Sequence, residues 1–140
     1  MSDVRITVSE RHGRRSASSG SRWEPVFGYS RAVRTGNVIA VSGTVGINAD
    51  GTYAPSMAEQ ARRALEIIRA AIEALGGRLE HVIRTRMFVT DISRSEQVSA
   101  VHGALFGDIR PAATLVEIAR LIHPEAQIEI EADAIVPPDA

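Results

Sequence analysis

The sequence predicts an α+β domain in which two helices cover one face of a mixed β-sheet. The main observation is the order of periodic segments, which reads two strands, a long helix, a strand, a shorter helix and two further strands. A chain of 140 residues is long enough to bury one core of its own. Its 44% hydrophobic and 24% charged residues are typical of a globular protein and argue against general disorder.

Residues 1–22 are predicted to form a basic arm that precedes a single domain over residues 23–140. Seven arginines and three acidic residues lie within residues 1–36. Residues 11–21 (RHGRRSASSGS) are rich in serine, glycine and arginine and lack apolar periodicity, which predicts a loop. Such an arm either is solvated, which is the simpler interpretation, or contacts nucleic acid or the acidic surface of a neighbouring subunit.

The first two strands are predicted as a β-hairpin over residues 29–34 and 38–42, with a turn at Gly36-Asn37. A long helix follows, because Ser56 and Glu59 form an S-x-x-E capping box and Gly76-Gly77 provides a stop. Its apolar residues recur at the helical period: Met57, Ala61, Ala64, Leu65, Ile68, Ala71, Ile72 and Leu75.

The second half of the chain begins with a predicted strand over residues 82–89. Its period of two places four residues on one face: Ile83, Thr85, Met87 and Val89. A second capping box predicts a shorter helix, closed by Gly107, whose core-facing residues are Val98, Val101, Ala104 and Leu105. The box consists of Ser93 and Glu96. Two strands are predicted over residues 113–119 and 128–135.

Composition excludes several chemistries, because all 16 basic residues are arginine and cysteine is absent. There is no lysine for a Schiff base or a P-loop, and no thiolate nucleophile, disulfide or cysteine-built metal site. The four histidines are far apart and outside known ligand spacings, so we expect no metal site. No apolar run approaches the roughly 18 residues of a membrane span and no signal peptide is apparent, so we expect a cytoplasmic protein without membrane contact.

Two features are candidates for chemistry. In residues 128–135 the alternation places Glu129, Glu131 and Asp133 on one strand face. These carboxylates either face water or, in an oligomer with abutting sheets, line a cleft in which one of them polarises a water molecule. Ser42 lies at a strand end beside Gly43 and has no adjacent His–Asp pair, so it is interpreted as a ligand hydrogen-bond donor and not as a nucleophile.

Residues 110–121 (RPAATLVEIARL), followed by 128–132 (IEIEA), resemble the C-terminal signature of the YjgF/RidA reactive-intermediate deaminase family. Some members of that family carry the label endoribonuclease L-PSP or translation inhibitor. Gly28-Tyr29, Gly36-Asn37 and residues 41–43 resemble the family's N-terminal half, and the resemblance extends over residues 24–136.

The resemblance implies a chorismate-mutase-like α+β subunit that assembles as a homotrimer around a central barrel. Three small-molecule clefts are then expected between subunits. Active members of the family hydrolyse 2-imino or enamino acids, such as aminoacrylate, to 2-keto acids and ammonia without a cofactor.

Site residues are implied position by position. The family's cleft tyrosine falls on Tyr29, its strand-end serine and glycine on Ser42 and Gly43, its water-orienting glutamate on Glu129, and a cleft asparagine on Ser99. The arginine that binds the substrate carboxylate, in a P-A-R-[ST] context, is replaced: the four residues are Pro111, Ala112, Ala113 and Thr114. Loss of one charged partner in such a contact costs on the order of 2 to 5 kcal/mol, a factor of roughly 30 to several thousand.

Arg31 and Arg110 are the candidates to replace the missing cation, and the alternative for both is a salt bridge between subunits. Arg31 lies two residues after Tyr29 and so on the same face of a regular strand. The expected function is a divergent hydrolase or deaminase of a small carbonyl, imine or enamine that is not a standard 2-imino acid. The alternative is a non-catalytic binding or regulatory trimer. Ribonuclease activity or nucleic-acid binding is not expected, because aromatics are only 4% and the net charge is −1.

Overall fold

The computed structural model describes residues 3–139, within which seven strands and three helices occur. In chain order they are β1 (Thr7–Arg11), β2 (Arg14–Ser18), α1 (Trp23–Phe27), β3 (Ala32–Thr35), β4 (Val38–Val45), α2 (Met57–Ala74), β5 (Val82–Val89), α3 (Ser95–Phe106), β6 (Ala112–Glu117) and β7 (Ile128–Ile135). Two single-turn 3₁₀ helices precede β5 and α3, at Leu79–His81 and Ile92–Arg94.

All seven strands form one mixed sheet in the order β1-β2-β3-β4-β7-β5-β6. Every pair is antiparallel except β5 and β6, which run parallel and are connected through α3. The long helix α2 packs on β4 and β7, and α3 packs beside α2. The predicted α+β class, with two helices on a mixed sheet, is confirmed. None of the helices in residues 3–139 is long and apolar enough to cross a membrane.

The amphipathic helix α2 supplies much of the core. Its N-terminus is capped as predicted, because the Ser56 hydroxyl accepts the Glu59 backbone N–H at 3.1 Å. Gly76 then takes a φ of +86°, a left-handed conformation that stops the helix at little steric cost. The buried face of α2 comprises Met57, Gln60, Ala61, Ala64, Leu65, Ile67, Ile68, Ala71 and Ile72.

The central strand β7 fixes which residues face the helices. Its even-numbered residues are buried towards the core: Ile128, Ile130, Ala132 and Ala134. Glu129, Glu131 and Asp133 therefore share the other face, as the alternation predicts. There Arg86 of β5 contacts the carboxylates of both Glu131 and Asp133 at 3.3 Å. Within residues 3–139, Arg86 thus pairs with two of the three carboxylates and not with Glu129.

The loop predicted over residues 11–21 is wrong for residues 14–18. That segment is β2, which pairs with β1 across a turn at His12-Gly13 and also pairs with β3, so the arm extends the sheet. All five residues of β1 are exposed, which explains why no apolar alternation marked the hairpin. The next segment, α1, is held by the buried Glu24 carboxylate, which accepts both the Ser19 N–H and the Ser19 hydroxyl.

Two local expectations in the second half are also wrong. The second capping box does not form, because the Asp91 side chain accepts the Ser93 N–H and starts a 3₁₀ turn, so that α3 begins at Ser95. At the other end of α3, Phe106 is buried where Ala104 was expected, and Ala104 is exposed.

A register shift in β5 explains the remaining difference on that strand. The pairing of β5 with β7 is irregular between Val82 and Arg84. Ile83 is therefore 49% exposed and Val82 is buried in its place. The rest of the alternation is as predicted, since Thr85, Met87 and Val89 are all buried.

Candidate active site

A cleft of about 1000 Å³ opens beside the region where the end of β4 meets the start of β7. Five of the residues predicted or considered for the site line it: Tyr29, Arg31, Ser42, Gly43 and Glu129. The structure therefore brings together residues that precede β3, residues of β4 and a residue of the last strand.

A β-bulge shapes the floor of this cleft. The register between β4 and β7 shifts between Val41 and Thr44, which leaves Ser42 and Gly43 outside the regular ladder. A Cβ at position 43 would lie 2.8 Å from the Glu129 side-chain Cδ, so any other residue here would displace the Glu129 carboxyl group. The Glu129 carboxyl group thus packs directly on the backbone of Gly43.

Arg31 connects several groups of the same region by hydrogen bonds. Its side chain is buried, with the residue 7% exposed. Nη1 donates to the Gly43 carbonyl oxygen at 2.7 Å and to the Thr44 hydroxyl at 3.0 Å, and Nη2 donates to the Tyr29 hydroxyl at 3.0 Å. Three of its five N–H donors are therefore engaged within the chain. Arg31 links the bulge to Tyr29, and two donors remain for other partners.

The electrostatics of Glu129 suit proton transfer. Its carboxyl group is half-buried, and this burial is the main cause that raises its pKa. The neighbouring Glu131 carboxylate raises the pKa further, and the Arg31 guanidinium partly offsets the shift. A carboxylate with a raised pKa is a stronger base than an ordinary one and can take a proton from water.

Ser42 contacts the cleft but its hydroxyl proton is already engaged. Ser42 Oγ donates to the Ser30 carbonyl oxygen at 2.6 Å. A ligand would therefore meet the oxygen lone pairs of this hydroxyl, whereas the sequence led us to expect a donor.

The remaining predicted positions are not among the residues of 3–139 that line this cleft. Glu129 pairs with Phe88, and Phe88 pairs with Val116 of β6, so these three side chains share one face. Ala113 lies three residues before Val116 and therefore on the opposite face, two strands and about 10 Å across. One chain alone does not bring Ala113 and Glu129 together.

Three further predicted positions also lie outside this cleft. Thr114 pairs with Arg86 on the edge of the sheet, and Ser99 is exposed on α3, with its hydroxyl bonded to the Glu96 carbonyl oxygen at 3.2 Å. Arg110 is exposed at the end of α3, with a left-handed φ of +57°. Of the two candidate arginines, Arg31 is the one in the cleft.

Tyr53 is a cleft residue that the sequence did not indicate. It follows a turn and bridges to Ile47, outside the regular strands. Its hydroxyl oxygen is buried and finds no hydrogen-bond partner within residues 3–139. Burial raises the pKa of this hydroxyl, and the Glu125 and Glu129 carboxylates add to the shift. No periodicity marks such a residue, since loop geometry alone brings it to the cleft.

Removing the unpaired hydroxyl with Tyr53→Phe is expected to leave the melting temperature unchanged or to raise it. A buried hydroxyl without a partner costs about 1–3 kcal/mol, and phenylalanine keeps the ring. The matched control is Tyr29→Phe, which loses the hydrogen bond from Arg31 and is expected to lower the melting temperature. Thermal denaturation followed by circular dichroism measures both, and an equal loss in the two variants would contradict a partnerless Tyr53.

The amino-acid sequence of this chain matches a family of known proteins. Residues 19–136 match the family model described as Endoribonuclease L-PSP. The 2-iminobutanoate/2-iminopropanoate deaminase of Escherichia coli is 35% identical over 111 residues, which are 76% of this chain and 86% of that protein.

Solved structures agree with the family model. Rv2704 from Mycobacterium tuberculosis, a member of the YjgF/YER057c/UK114 family, has a TM-score of 0.82 and 46% identity, with 88% of this chain and 99% of that one covered. The YjgF gene product of Escherichia coli has a TM-score of 0.72 and 35% identity, over 76% and 87% of the two chains. The chain therefore belongs to the endoribonuclease L-PSP family, which is the YjgF/RidA family.

Proposed function

We propose that the protein is a cofactor-independent hydrolase of a small imine or enamine metabolite, divergent from the members that act on standard 2-imino acids. The observation that carries the proposal is the Glu129 carboxyl group, half-buried against Gly43 in a cleft that also contains Tyr29 and Arg31. The name of the 35% identical deaminase supports the class of reaction.

The reaction needs one proton-transferring group and a water molecule. Glu129 takes a proton from water, the hydroxide oxygen bonds to the imine carbon as the C=N π electrons move to nitrogen, and Glu129 gives that proton to the nitrogen. In the resulting carbinolamine Glu129 takes the hydroxyl proton, the C–O bond becomes a carbonyl as the C–N bond breaks, and the nitrogen leaves as ammonia with the proton from Glu129. One imine and one water give one ketone and one ammonia.

Substrate recognition is expected to differ from that of 2-imino acid deaminases. Position 113 offers an alanine where those members have the carboxylate-binding arginine. Arg31 is buried and bonded to Gly43, Thr44 and Tyr29, so it is held on the Glu129 side of the cleft. Arg31 therefore does not supply the cation that position 113 lacks.

We further propose that the complete cleft forms between the subunits of a homotrimer. Glu129 and Ala113 lie on opposite faces of one sheet, so a single site containing both positions requires a neighbouring chain. The edge strand β6 is available for that contact, with Val116 42% exposed. Light scattering after size exclusion tests this, with the mass of three 15.1 kDa chains expected and a monomer contradicting it.

The activity is tested by ammonia release from two imines made in situ. One is 2-aminoacrylate from serine and a dehydratase, and the other is the uncharged 2-iminopropanamide from base elimination of N-chloroalaninamide. We expect faster ammonia release than in buffer with the uncharged imine, and little acceleration with aminoacrylate. Buffer rates with both imines would contradict the proposal.

The loss of the arginine at position 113 also favours a second candidate, a trimer that binds a metabolite without converting it. In that case a carbonyl compound would raise the melting temperature, because a ligand that binds only the native state stabilises it, and the compound would be recovered unchanged.

A further inference from the structure

The surroundings of Ala113 contain a polar pair that neither the sequence nor the family resemblance singled out. Ala113 pairs with Thr85 in the parallel register of β6 and β5, so the two side chains share a face. Thr85 is fully buried, and its hydroxyl oxygen lies 2.9 Å from His102 Nε2. Ala113, which stands where the family has arginine, therefore lies next to Thr85, whose hydroxyl group contacts the His102 imidazole.

The helix α3 brings a second predicted ligand position to the same imidazole. Ser99 and His102 are three residues apart on α3 and therefore neighbours on its surface. Ser99 and Ala113 were assigned to one cleft by resemblance alone, and they are far apart in the sequence. Here both are exposed, Ser99 next to His102 on α3 and Ala113 next to Thr85, the residue that contacts His102. A position on α3 and a position on β6 are thus both connected to His102.

Burial favours the uncharged form of this imidazole. His102 is half-buried, with its ring 4.7 Å from the Phe106 ring, and burial lowers its pKa. Thr85, Ser99 and Ala113, which surround it, carry no charge. Because Nε2 is at hydrogen-bond distance from the Thr85 hydroxyl, the neutral imidazole has Nδ1 left for a ligand, as a donor or as an acceptor, whereas a guanidinium presents donors only.

We propose that His102 is a specificity-determining residue that takes the place of the missing arginine and selects a ligand with an uncharged polar group, such as a carboxamide, at this position. A carboxamide carries both a donor and an acceptor and so can bond to Nδ1 of the imidazole in either tautomer. A carboxylate carries acceptors only, and would bring a charge to a position where alanine stands in place of the cation. The inference rests on the proposed cleft between subunits, because Ala113 and Ser99 belong to it.

The test compares two small ketones that differ in one group, pyruvamide and pyruvate, by calorimetric titration of the full chain. The wild-type protein is expected to bind pyruvamide at least tenfold more tightly than pyruvate. His102→Leu should weaken pyruvamide binding by about three- to tenfold, the value of a hydrogen bond, and leave pyruvate binding unchanged. His102→Gln keeps an uncharged donor and acceptor, and is expected to restore most of the preference.

Controls separate recognition from folding. His12→Leu removes a histidine from the exposed β1-β2 turn and is expected to change neither affinity. Circular dichroism of each variant verifies the fold, and His102→Gln provides a conservative variant if leucine at this position disturbs Thr85. Equal or tighter binding of pyruvate, an unchanged preference in His102→Leu, or no saturable binding of pyruvamide would each overturn the proposal.

This outcome is distinguishable from failure of the hydrolase proposal. Binding of the two ketones requires no turnover, so a pyruvamide preference that depends on His102 stands even if no imine is hydrolysed. Conversely, imine hydrolysis without that preference would leave Glu129 as the catalytic residue and remove His102 from recognition.

Discussion

Glutamine at position 129 is expected to reduce imine hydrolysis at least 100-fold and, in the same variant, to raise the melting temperature at neutral pH. Loss of a general base typically costs a factor of about 10² to 10⁴, and the amide of glutamine accepts no proton from water. The initial rate of ammonia release, compared with buffer, measures the effect. A variant that loses activity and gains stability has not lost it by unfolding.

The gain in stability follows from the direction of the Glu129 pKa shift. Burial and the Glu131 carboxylate raise the pKa of Glu129 in the folded protein, so the folded state holds its proton to higher pH than the unfolded chain does. Stability is therefore lost as pH rises from the ordinary glutamate pKa through the raised one. Glu129→Gln removes this dependence, since the amide does not titrate.

Activity is expected to have the opposite pH dependence to stability. The base form of Glu129 is the carboxylate, so the rate should rise with pH through the raised pKa of the folded protein. The matched control is Glu131→Gln, on the same strand face, whose carboxylate is already in contact with Arg86. It is expected to retain most of the activity, and an equal loss in both variants would contradict the assignment of the base to Glu129.

The periodic elements of the fold could be predicted because each buries one face. The repeat in α2 and the alternation in β7 follow directly from their contact with the core, and both are confirmed. The β1-β2 hairpin could not be predicted in this way, because β1 buries no residue and β2 buries only Ser16 and Ala17. Backbone pairing with β3, which leaves no mark on side-chain pattern, holds it in place.

The candidate site was predictable where motif residues are also cleft residues, as with Tyr29, Gly43 and Glu129. Its polar contacts were not, because they depend on where distant segments meet. Arg31 donates to the Gly43 carbonyl oxygen at the β4 bulge, and Thr85 contacts His102 because α3 lies near β5 in the fold. Tyr53 illustrates the same limit, since only loop geometry buries its hydroxyl.

Arginine at position 113 is expected to raise the hydrolysis of 2-iminopropanoate by a factor of roughly 30 to several thousand. The residue restores a forked pair of N–H donors for the substrate carboxylate, and such a charged contact is worth on the order of 2 to 5 kcal/mol. Ala113 is exposed on β6, so the longer side chain displaces no core residue. Hydrolysis of the uncharged 2-iminopropanamide should fall or stay unchanged, which reverses the preference of the wild-type protein.

Two further substitutions at this position separate charge from geometry. Ala113→Lys supplies a cation without the planar fork, and a smaller increase is expected because one point charge replaces two parallel hydrogen bonds. Ala113→Gln supplies length without charge, and no increase is expected. In the double variant Ala113→Arg/Glu129→Gln, the increase in the rate of hydrolysis should vanish, because the bound substrate would lack the general base. An unchanged rate in Ala113→Arg would contradict a substrate position beside Ala113, whereas activation that needs Glu129 would show that the two faces of the sheet act on one ligand.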